Sequence, residues 1–249
     1  MEAAVTVPAL GQMKREGRKI VGVVVWDTEM ARIADRAGAD IVSVGDSVGV
    51  NLWGRSAETE VTLDEMLIVC KAVRRGARRA LVSCDLPFRS LQGGADAVVS
   101  AALRIVSEGG AEMVKVNGSP DTVRAVVRAG IPVFAEFHGG KEIPAEKLVE
   151  AAKRLEEAGA ALLDFRHSGP VAGEAVVRAV SIPVIGGLGG GPWLDGRMRM
   201  AHAAIGYAAS ALDSKTESYA NVAKISLDAL SAYAEDVRAG RHLKGQRPA

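Results

Sequence analysis

The chain has 249 residues, and its 31 Lys and Arg nearly balance its 30 Asp and Glu, so the formal net charge is +1. This length suits one large domain or two small ones, and a hydrophobic content of 48% is enough to fill a sizeable core. The balanced charge argues against electrostatic binding of nucleic acid. The aromatic content of 4% argues against a stacking platform for single strands.

The chain carries no pattern typical of membrane insertion or secretion. No apolar run reaches the ~18 residues that a membrane span needs, and the first residues contain no long apolar segment. Cys70 and Cys84 form no metal-binding or disulfide pattern, and we interpret them as reduced, buried thiols. We therefore expect a soluble cytoplasmic protein with no nucleic-acid or membrane partner.

Short apolar runs rich in Val and Ile alternate with amphipathic stretches along the chain, as is typical of parallel strands covered on both faces. Strands are predicted at 19–26, 40–46, 80–86, 112–118, 131–137, 161–166 and 182–189, with a weaker eighth candidate at 204–209. Helices are predicted at 28–37, 63–74, 95–107, 122–128, 145–158, 173–179 and 219–240.

The repeated strand–helix units predict an α/β protein, a single (β/α)8 TIM barrel that spans residues 1–249. Three helix-to-strand joints repeat one signature (RAGAD, EGGAE and EAGAA), in which a glycine ends the helix before the next strand. The alternative is a doubly wound open sheet, but no GxGxxG motif follows the first strand. In a barrel the active site lies at the carboxyl ends of the strands.

Polar residues follow several of the predicted strands at that end. They are Asp46 and Ser47 after the second strand, Asp85 at the end of the third, Lys115 and Asn117 on the fourth, Glu136 and His138 at the fifth, and Arg166 and His167 at the sixth. Two aspartates at neighbouring strand ends can share a hard cation such as Mg²⁺, and a helix cap is the structural alternative for each.

Lys115 lies within an apolar strand and therefore needs a partner. The alternatives are a substrate carboxylate, a Schiff base, or a buried salt bridge with Asp85 or Asp46. His138 and His167 are candidate acid/base groups, whereas His202 on a helix indicates a structural role.

The glycine-rich segment 186–191 suits either a phosphate cradle or close backbone approach to another ligand. His242 lies in the tail and carries no functional signal.

Several motifs resemble the ketopantoate hydroxymethyltransferase family. VGDSVGV at 44–50, VRRGA at 73–77 and DLPF at 85–88 are similar to that family's VGDSLGM, VRRGA and DLPF. AEMVKVNG resembles its VKxEG strand, and IPVIGGLGGG resembles its IPVIGIGAG. The resemblance implies a (β/α)8 barrel akin to phosphoenolpyruvate mutase and isocitrate lyase. It also implies Mg²⁺, a small 2-oxo acid substrate, hydroxymethyl transfer from 5,10-methylenetetrahydrofolate, and a homo-oligomer.

Carried over by position, the resemblance implies that Asp46 and Asp85 bind the metal and that Ser47 and Lys115 bind the keto-acid carboxylate. Asn117 stands where the family has a Glu, Glu136 where it has a His, and Arg166 where it has the catalytic Glu. The family's long loop after the fifth strand is also much shorter here.

Because an Arg remains protonated, Arg166 cannot act as a base, but it can bind a carboxylate or phosphate bidentately. We therefore predict a divergent member of the family. Ser47, Lys115, Arg166 and Asn117 would bind substrate, and Glu136, His138 and His167 would transfer protons. The electrophile is methylenetetrahydrofolate or another carbon electrophile. The alternatives are a carbon–carbon lyase or mutase that acts on a more anionic substrate, and a non-catalytic barrel that binds a keto acid.

Overall fold

The computed structural model contains a closed barrel of eight parallel strands that follow one another in sequence order. It describes residues 3–140, 142–187 and 191–245. The strands are β1 (Ile20–Val24), β2 (Ile41–Val44), β3 (Leu81–Asp85), β4 (Met113–Asn117), β5 (Val133–His138), β6 (Leu162–Arg166), β7 (Val184–Gly186) and β8 (Gly196–Met200). The predicted (β/α)8 barrel is thereby confirmed.

Helices connect the successive strands from β1 to β7, and further helices precede β1 and follow β8. They are α1 (Val7–Arg15), α2 (Thr28–Arg36), α3 (Val48–Asn51), α4 (Leu63–Gly76), α5 (Phe88–Leu91), α6 (Gly94–Ser107), α7 (Pro120–Arg128), α8 (Ala145–Glu157), α9 (Pro170–Ala179), α10 (Ala201–Ile205) and α11 (Val222–Arg238). Two short 3₁₀ turns lie at Glu58–Glu60 and Ala209–Leu212. Within the described residues, no helix has both the length and the apolar character needed to cross a bilayer.

The chain forms two compact units, Met1–Arg199 and Met200–Ala249. The first contains β1 to β7 and nearly all of β8, and the second contains α10 and α11. The expectation of one domain over residues 1–249 stays a prediction.

Side-chain caps start several helices just after the loops that leave the strands. The Asp27 side chain accepts a hydrogen bond from the Met30 N–H at the start of α2. Thr62 and Glu65 form a reciprocal capping box at the start of α4. These caps satisfy N–H groups that a helix leaves unpaired at its first turn. They therefore help to fix the loops at the carboxyl ends of the strands.

The amino-terminal end of the barrel is filled by an apolar cluster that includes α1. The cluster combines side chains near the starts of the strands with side chains from α1 and the segment before it. Its buried members are Val5, Leu10, Met13, Ile20, Ile41, Leu81, Met113, Phe134, Leu162 and Ile185, and Met198 of β8 packs against it. The helix thus forms a floor to the barrel, and charged side chains gather at the opposite end.

The eighth strand lies earlier in the chain than predicted. The prediction placed it at 204–209, but β8 is Gly196–Met200 and residues Ala201–Ile205 form α10. The prediction was wrong because β8 is not an apolar run. It carries Arg197 and Arg199, and four of its five residues are only half-buried.

Gly196 allows β8 to pair closely with β1. A Cβ atom at this position would overlap the backbone carbonyl oxygen of Ile20, and the Ile20 N–H donates to Asp195 O at 2.8 Å. We expect Gly196→Ala to lower the free energy of unfolding by about 1–3 kcal/mol, because the overlap forces the backbone of two paired strands apart. Urea unfolding followed by circular dichroism measures this change. Gly187→Ala is the control, since no heavy atom lies within 4 Å of a Cβ there, and equal losses in the two variants would contradict the explanation.

Candidate active site

The strand register aligns charged residues at the carboxyl end of the barrel. Asp85 of β3 pairs with Lys115 of β4. Asn117 of β4 pairs with Glu136 of β5, which pairs with Asp164 of β6. These positions border a cavity of about 220 Å³. Its wall is formed by Asp46, Glu58, Thr59, Asp85, Leu86, Phe88, Lys115, Asn117, Glu136 and Arg166.

Asp46 and Asp85 face the cavity from neighbouring strands. Asp85 Oδ1 is buried and has no hydrogen-bond partner among the described residues. Burial raises the pKa of Asp85 to about 8, and the charge of Asp46 adds to this rise. Burial also raises the pKa of Asp46 to about 6, with the charge of Glu58 adding to it. The pair therefore consists of two poorly compensated carboxylates.

Lys115 is buried beneath the cavity and lies between two carboxylates. Its Nζ is 2.5 Å from Glu136 Oε2 and 2.9 Å from Asp164 Oδ2. Burial alone would lower the pKa of Lys115, but the charges of Asp85, Asp164 and Glu136 outweigh it and raise this pKa well above its usual range. The lysine is thus held protonated, which disfavours the Schiff-base alternative because that chemistry needs a neutral amine.

Lys115 forms a buried salt bridge, as one of the alternatives predicted, but the predicted partners were wrong. The partners are Glu136 and Asp164 rather than Asp85 or Asp46. The strand register decides this, because it places Asp164 beside Glu136 across β5 and β6.

Glu136 is the centre of the charged network. Its two carboxylate oxygens contact Lys115 Nζ, His138 Nε2 at 3.0 Å, Asn117 Nδ2 at 3.3 Å and Arg166 Nη1 at 3.6 Å. Burial alone would raise the pKa of Glu136. The charge and hydrogen bond of Lys115 lower this pKa by more than burial raises it, so the net shift is downward. Glu136 is therefore an ionised anchor for its neighbours.

His138 and His167 lie together at the rim of the barrel mouth. Their ring centroids are 6.0 Å apart, and the side chain of His138 is 46% exposed. His167 has a φ of 53°, a left-handed conformation that non-glycine residues rarely adopt. Such backbone strain is concentrated at functional sites, so it supports the inclusion of His167 in the candidate site.

Most of the residues predicted from the sequence meet at the cavity. Its wall contains Asp46, Asp85, Lys115, Asn117, Glu136 and Arg166. Within the described residues, Ser47, His138 and His167 are outside that wall, although His138 contacts Glu136. The roles given to these nine residues stay predictions.

Asp164 lies at the end of the sixth predicted strand but was given no role from the sequence, and the part of the wall that follows α3 was not predicted. Asp164 is a buried charge inside an apolar strand, the same signal that identified Lys115, and it was available in the sequence. Glu58 and Thr59 come from a 3₁₀ turn, and Phe88 begins the short helix α5. Short irregular segments of this kind have no periodicity that would place them.

The other sequence predictions concern positions away from the wall. Cys70 and Cys84 are both buried free thiols, as expected. His202 is buried, and its ring packs edge-on against Tyr207 with centroids 4.4 Å apart, which agrees with a structural role. The phosphate-cradle prediction for 186–191 falls largely on residues 188–190, which lie outside the described residues.

A divalent ion is compatible with the donors on the cavity wall. In the part of the chain that the structure describes, no group of three or more His, Cys, Asp or Glu side chains is arranged as a metal cage. The two carboxylates of Asp46 and Asp85 fit Mg²⁺, which usually takes one or two carboxylates and completes its shell with water and substrate oxygens. The unpartnered Oδ1 of Asp85 is consistent with such a ligand.

A closed parallel barrel with charged side chains gathered at the carboxyl ends of its strands is the arrangement of a (β/α)8-barrel enzyme. The sequence profile of the family Ketopantoate hydroxymethyltransferase matches residues 4–243. The 3-methyl-2-oxobutanoate hydroxymethyltransferase of Moorella thermoacetica is 36% identical over 255 residues, which cover 95% of this chain and 94% of that protein. The protein of the same name from Geobacillus kaustophilus is 34% identical over 244 residues, covering 91% and 87%. The chain belongs to the ketopantoate hydroxymethyltransferase family and is an enzyme.

The barrel is similar in fold to solved structures from the phosphoenolpyruvate mutase/isocitrate lyase superfamily. A structure of 2,3-dimethylmalate lyase, a member of that superfamily, has a TM-score of 0.67 at 16% identity and covers 99% of this chain and 100% of that one. Phosphonopyruvate hydrolase in complex with oxalate and Mg²⁺ has a TM-score of 0.65 at 14% identity, with coverage of 98% and 91%. At these identities the likeness is one of fold.

Proposed function

We propose that this enzyme uses Mg²⁺ to enolise a 2-oxo acid and then joins the enolate carbon to an electrophile, with a hydroxymethyl unit from 5,10-methylenetetrahydrofolate as the family's donor. The observation that carries the proposal is that Asp46, Asp85 and Lys115 line one cavity at three neighbouring strand ends. Family membership supports the same reaction, since the curated relatives are named 3-methyl-2-oxobutanoate hydroxymethyltransferases.

Asp46 and Asp85 would hold the Mg²⁺ ion. Their donor set fits this ion because it supplies two carboxylates, one of which has a buried oxygen without a partner in the described structure. Burial disfavours the charged form of Asp85, and a bound cation would compensate that charge. A bound ion would supply Lewis-acid stabilisation of negative charge on the ketone oxygen of the substrate.

Lys115 and Ser47 would bind the carboxylate of the 2-oxo acid. The Lys115 ammonium has three N–H donors, and two of them are directed at Glu136 and Asp164. One donor therefore remains for a substrate oxygen. The Asn117 amide, which donates to Glu136, lies on the same wall and adds a polar contact for the substrate.

We assign the proton transfer to His138, positioned by Glu136. Glu136 is held ionised by its cationic partners, which makes it a poor base and a good acceptor for His138 Nε2–H. His138 would take the proton from C3, so that the C–H electrons form the C2–C3 double bond and negative charge moves to the ketone oxygen. His167, packed beside His138, would pass the proton to solvent.

A deuterium-exchange experiment tests this function. NMR follows exchange of the C3 proton of 3-methyl-2-oxobutanoate in D₂O, with Mg²⁺ and without folate. We expect the protein to catalyse this exchange and His138→Gln to slow it by about 10²- to 10⁴-fold, the usual contribution of a general base. His242→Gln, in the exposed tail, is the control. Absence of catalysed exchange with every 2-oxo acid tried would refute the proposed function, and full exchange in His138→Gln would refute the assignment of the base.

The second candidate is a carbon–carbon lyase or mutase, which the anion-binding capacity of Arg166 and the fold likeness to 2,3-dimethylmalate lyase favour. Product analysis separates the two candidates. Hydroxymethyl transfer needs the folate, whereas a lyase or mutase turns its substrate over without it. Tight binding of a keto acid without exchange or turnover would instead indicate a non-catalytic barrel.

We also propose that the protein works as a cytoplasmic homo-oligomer. Large apolar side chains of α11 are exposed, including Ile225 (64%), Leu230 (66%) and Tyr233 (57%). An apolar helix face of this kind is typical of an interface between subunits. Sedimentation velocity measures the assembly, and a monomer at micromolar concentration would contradict the proposal.

A further inference from the structure

Arg166 has a guanidinium whose donors are largely unused within the described ranges. The residue ends β6 and contributes to the cavity wall, and its side chain is 46% exposed. Its one ion pair there is with Glu136, at 3.6 Å between Nη1 and Oε2, which is longer than an N–H···O hydrogen bond. A guanidinium carries five N–H donors in a planar fork, so most of this binding capacity is left for a ligand.

The other cation of the wall, Lys115, has less binding capacity to spare. Two of its three N–H donors contact Glu136 and Asp164, which leaves one for the 2-oxo acid end of a substrate. Glu136 in turn accepts from Lys115, His138 and Asn117, so it does not need Arg166 for its neutralisation. Arg166 is therefore the wall cation with the most unused donors, and the one able to bind a second anionic group of a substrate.

The position of Arg166 in the barrel separates it from the two aspartates. In a closed barrel with strands in sequence order, β6 lies opposite β2 and three strands from β3. A substrate held at Asp46 and Asp85 by its 2-oxo acid end therefore extends its other end towards β6.

We infer that the substrate of this enzyme carries a second anionic group, a carboxylate or a phosphonate, which Arg166 binds through its fork. The inference rests on the proposed function and narrows its substrate to dianionic 2-oxo acids. The wall holds four carboxylates and two cations, so its net charge does not attract anions. Selectivity for a dianionic substrate would therefore come from the bidentate contact with Arg166. The planar guanidinium of Arg binds a carboxylate or a phosphate through two parallel N–H···O bonds, whereas Lys acts as a point charge.

Catalysed deuterium exchange at C3 tests the inference with three substrates in the presence of Mg²⁺. They are 3-methyl-2-oxobutanoate, a monoanionic 2-oxo acid, 2-oxoglutarate, which adds a carboxylate, and phosphonopyruvate, which adds a phosphonate. Each rate is corrected for exchange without protein. We expect kcat/KM of the wild type to be about 10- to 100-fold higher for at least one dianion than for the monoanion. The dianion that is preferred identifies the second group.

Two variants assign that preference to Arg166. Arg166→Gln should abolish it, mainly through a higher KM, because the lost contact binds the ground state and the transition state alike. Arg166→Lys keeps the charge but loses the fork, so it should restore only a small part of the preference. Arg154→Gln, an exposed change of the same charge on α8, should leave the preference at its wild-type value.

The outcomes separate this inference from the proposed function. Exchange of the monoanion equal to or faster than that of both dianions overturns the inference and leaves the function intact. A dianion preference that survives in Arg166→Gln also overturns it. If no acid exchanges, the proposed function fails, and calorimetric titration of 2-oxoglutarate or phosphonopyruvate with Mg²⁺ then decides. Binding weakened at least 10-fold in Arg166→Gln supports the inference, and equal or absent binding overturns it.

Discussion

Replacing Lys115 by Met is expected to lower the free energy of unfolding by about 3–5 kcal/mol at neutral pH. The ammonium lies within 3 Å of Glu136 and Asp164 oxygens, and both carboxylates are buried. Its removal leaves these negative charges close together without their counter-ion, which costs far more than an intact buried ion pair contributes. Guanidinium chloride unfolding at pH 7 measures the loss.

The control for this variant is Lys224→Met on α11. Lys224 forms an exposed pair with Asp228, and such pairs contribute at most about 1 kcal/mol. A double variant, Lys115→Met with Asp164→Leu, should recover part of the lost stability because it removes one of the two buried carboxylates left without a counter-ion. Similar losses in Lys115→Met and Lys224→Met would show that the charged network does not stabilise the barrel.

The loss in Lys115→Met should shrink as the pH falls. Lys115 helps to hold the pKa of Glu136 below its ordinary value of 4.5. A carboxyl group with a lowered pKa in the folded state stabilises the fold above its unfolded pKa, and this contribution fades as the pH falls through the folded value. The wild type therefore loses this stabilisation below about pH 4.5, whereas the variant has little of it to lose. A difference between the two proteins that grows towards low pH would contradict the role given to Lys115.

Replacing Asp85 by Asn is expected to weaken Mg²⁺-dependent binding of a 2-oxo acid at least about 100-fold. Even partners that only orient metal ligands contribute 10- to 100-fold to affinity, so loss of a ligand charge should cost no less. Calorimetric titration of Mg²⁺ in the presence of 3-methyl-2-oxobutanoate and of 2-oxoglutarate measures the effect. Asp121→Asn is the control, because that carboxylate is 91% exposed on α7, and an unchanged Mg²⁺ titration in Asp85→Asn would refute the metal site.

The same substitution should raise the Tm of the metal-free protein. Asp85 is a buried carboxyl group that faces the charge of Asp46, and one of its oxygens lacks a partner in the described structure. Functional sites often retain such unfavourable groups at the expense of stability. A gain in Tm together with lost binding is the signature of a ligand-binding group, whereas a fall in both indicates a structural one. Differential scanning calorimetry in EDTA distinguishes these outcomes.

The sequence predicted the barrel because seven of its strands are short apolar runs covered on both faces. The eighth escaped prediction because Arg197 and Arg199 interrupt its apolar character. Its position depends on pairing with β7 and on the close approach of Gly196 to β1. Those are tertiary contacts, and local periodicity does not report them.

Part of the candidate site was predictable, because polar residues at the ends of predicted strands are visible in the sequence. Asp46, Asp85 and Lys115 were found in this way, and they meet at one cavity. The partners of each residue were not predictable, because they depend on which residues the register aligns. Glu136 is an example of a residue whose role depends on such partners. Its place at a strand end suggested a base, and only its contacts with several donors reveal an ionised anchor.

The apolar floor has a consequence for the order in which the chain can fold during synthesis. The floor joins Leu10 and Met13, which are synthesised before any strand of the barrel, to Met198 in the last strand. Until β8 emerges, β1 and β7 are open edges, and the helix that belongs beneath the barrel lacks part of its packing surface. Such long-range pairings form late and slowly. A nascent chain of this enzyme therefore has two unpaired strand edges until β8 is synthesised, and edges of this kind favour pairing with other chains.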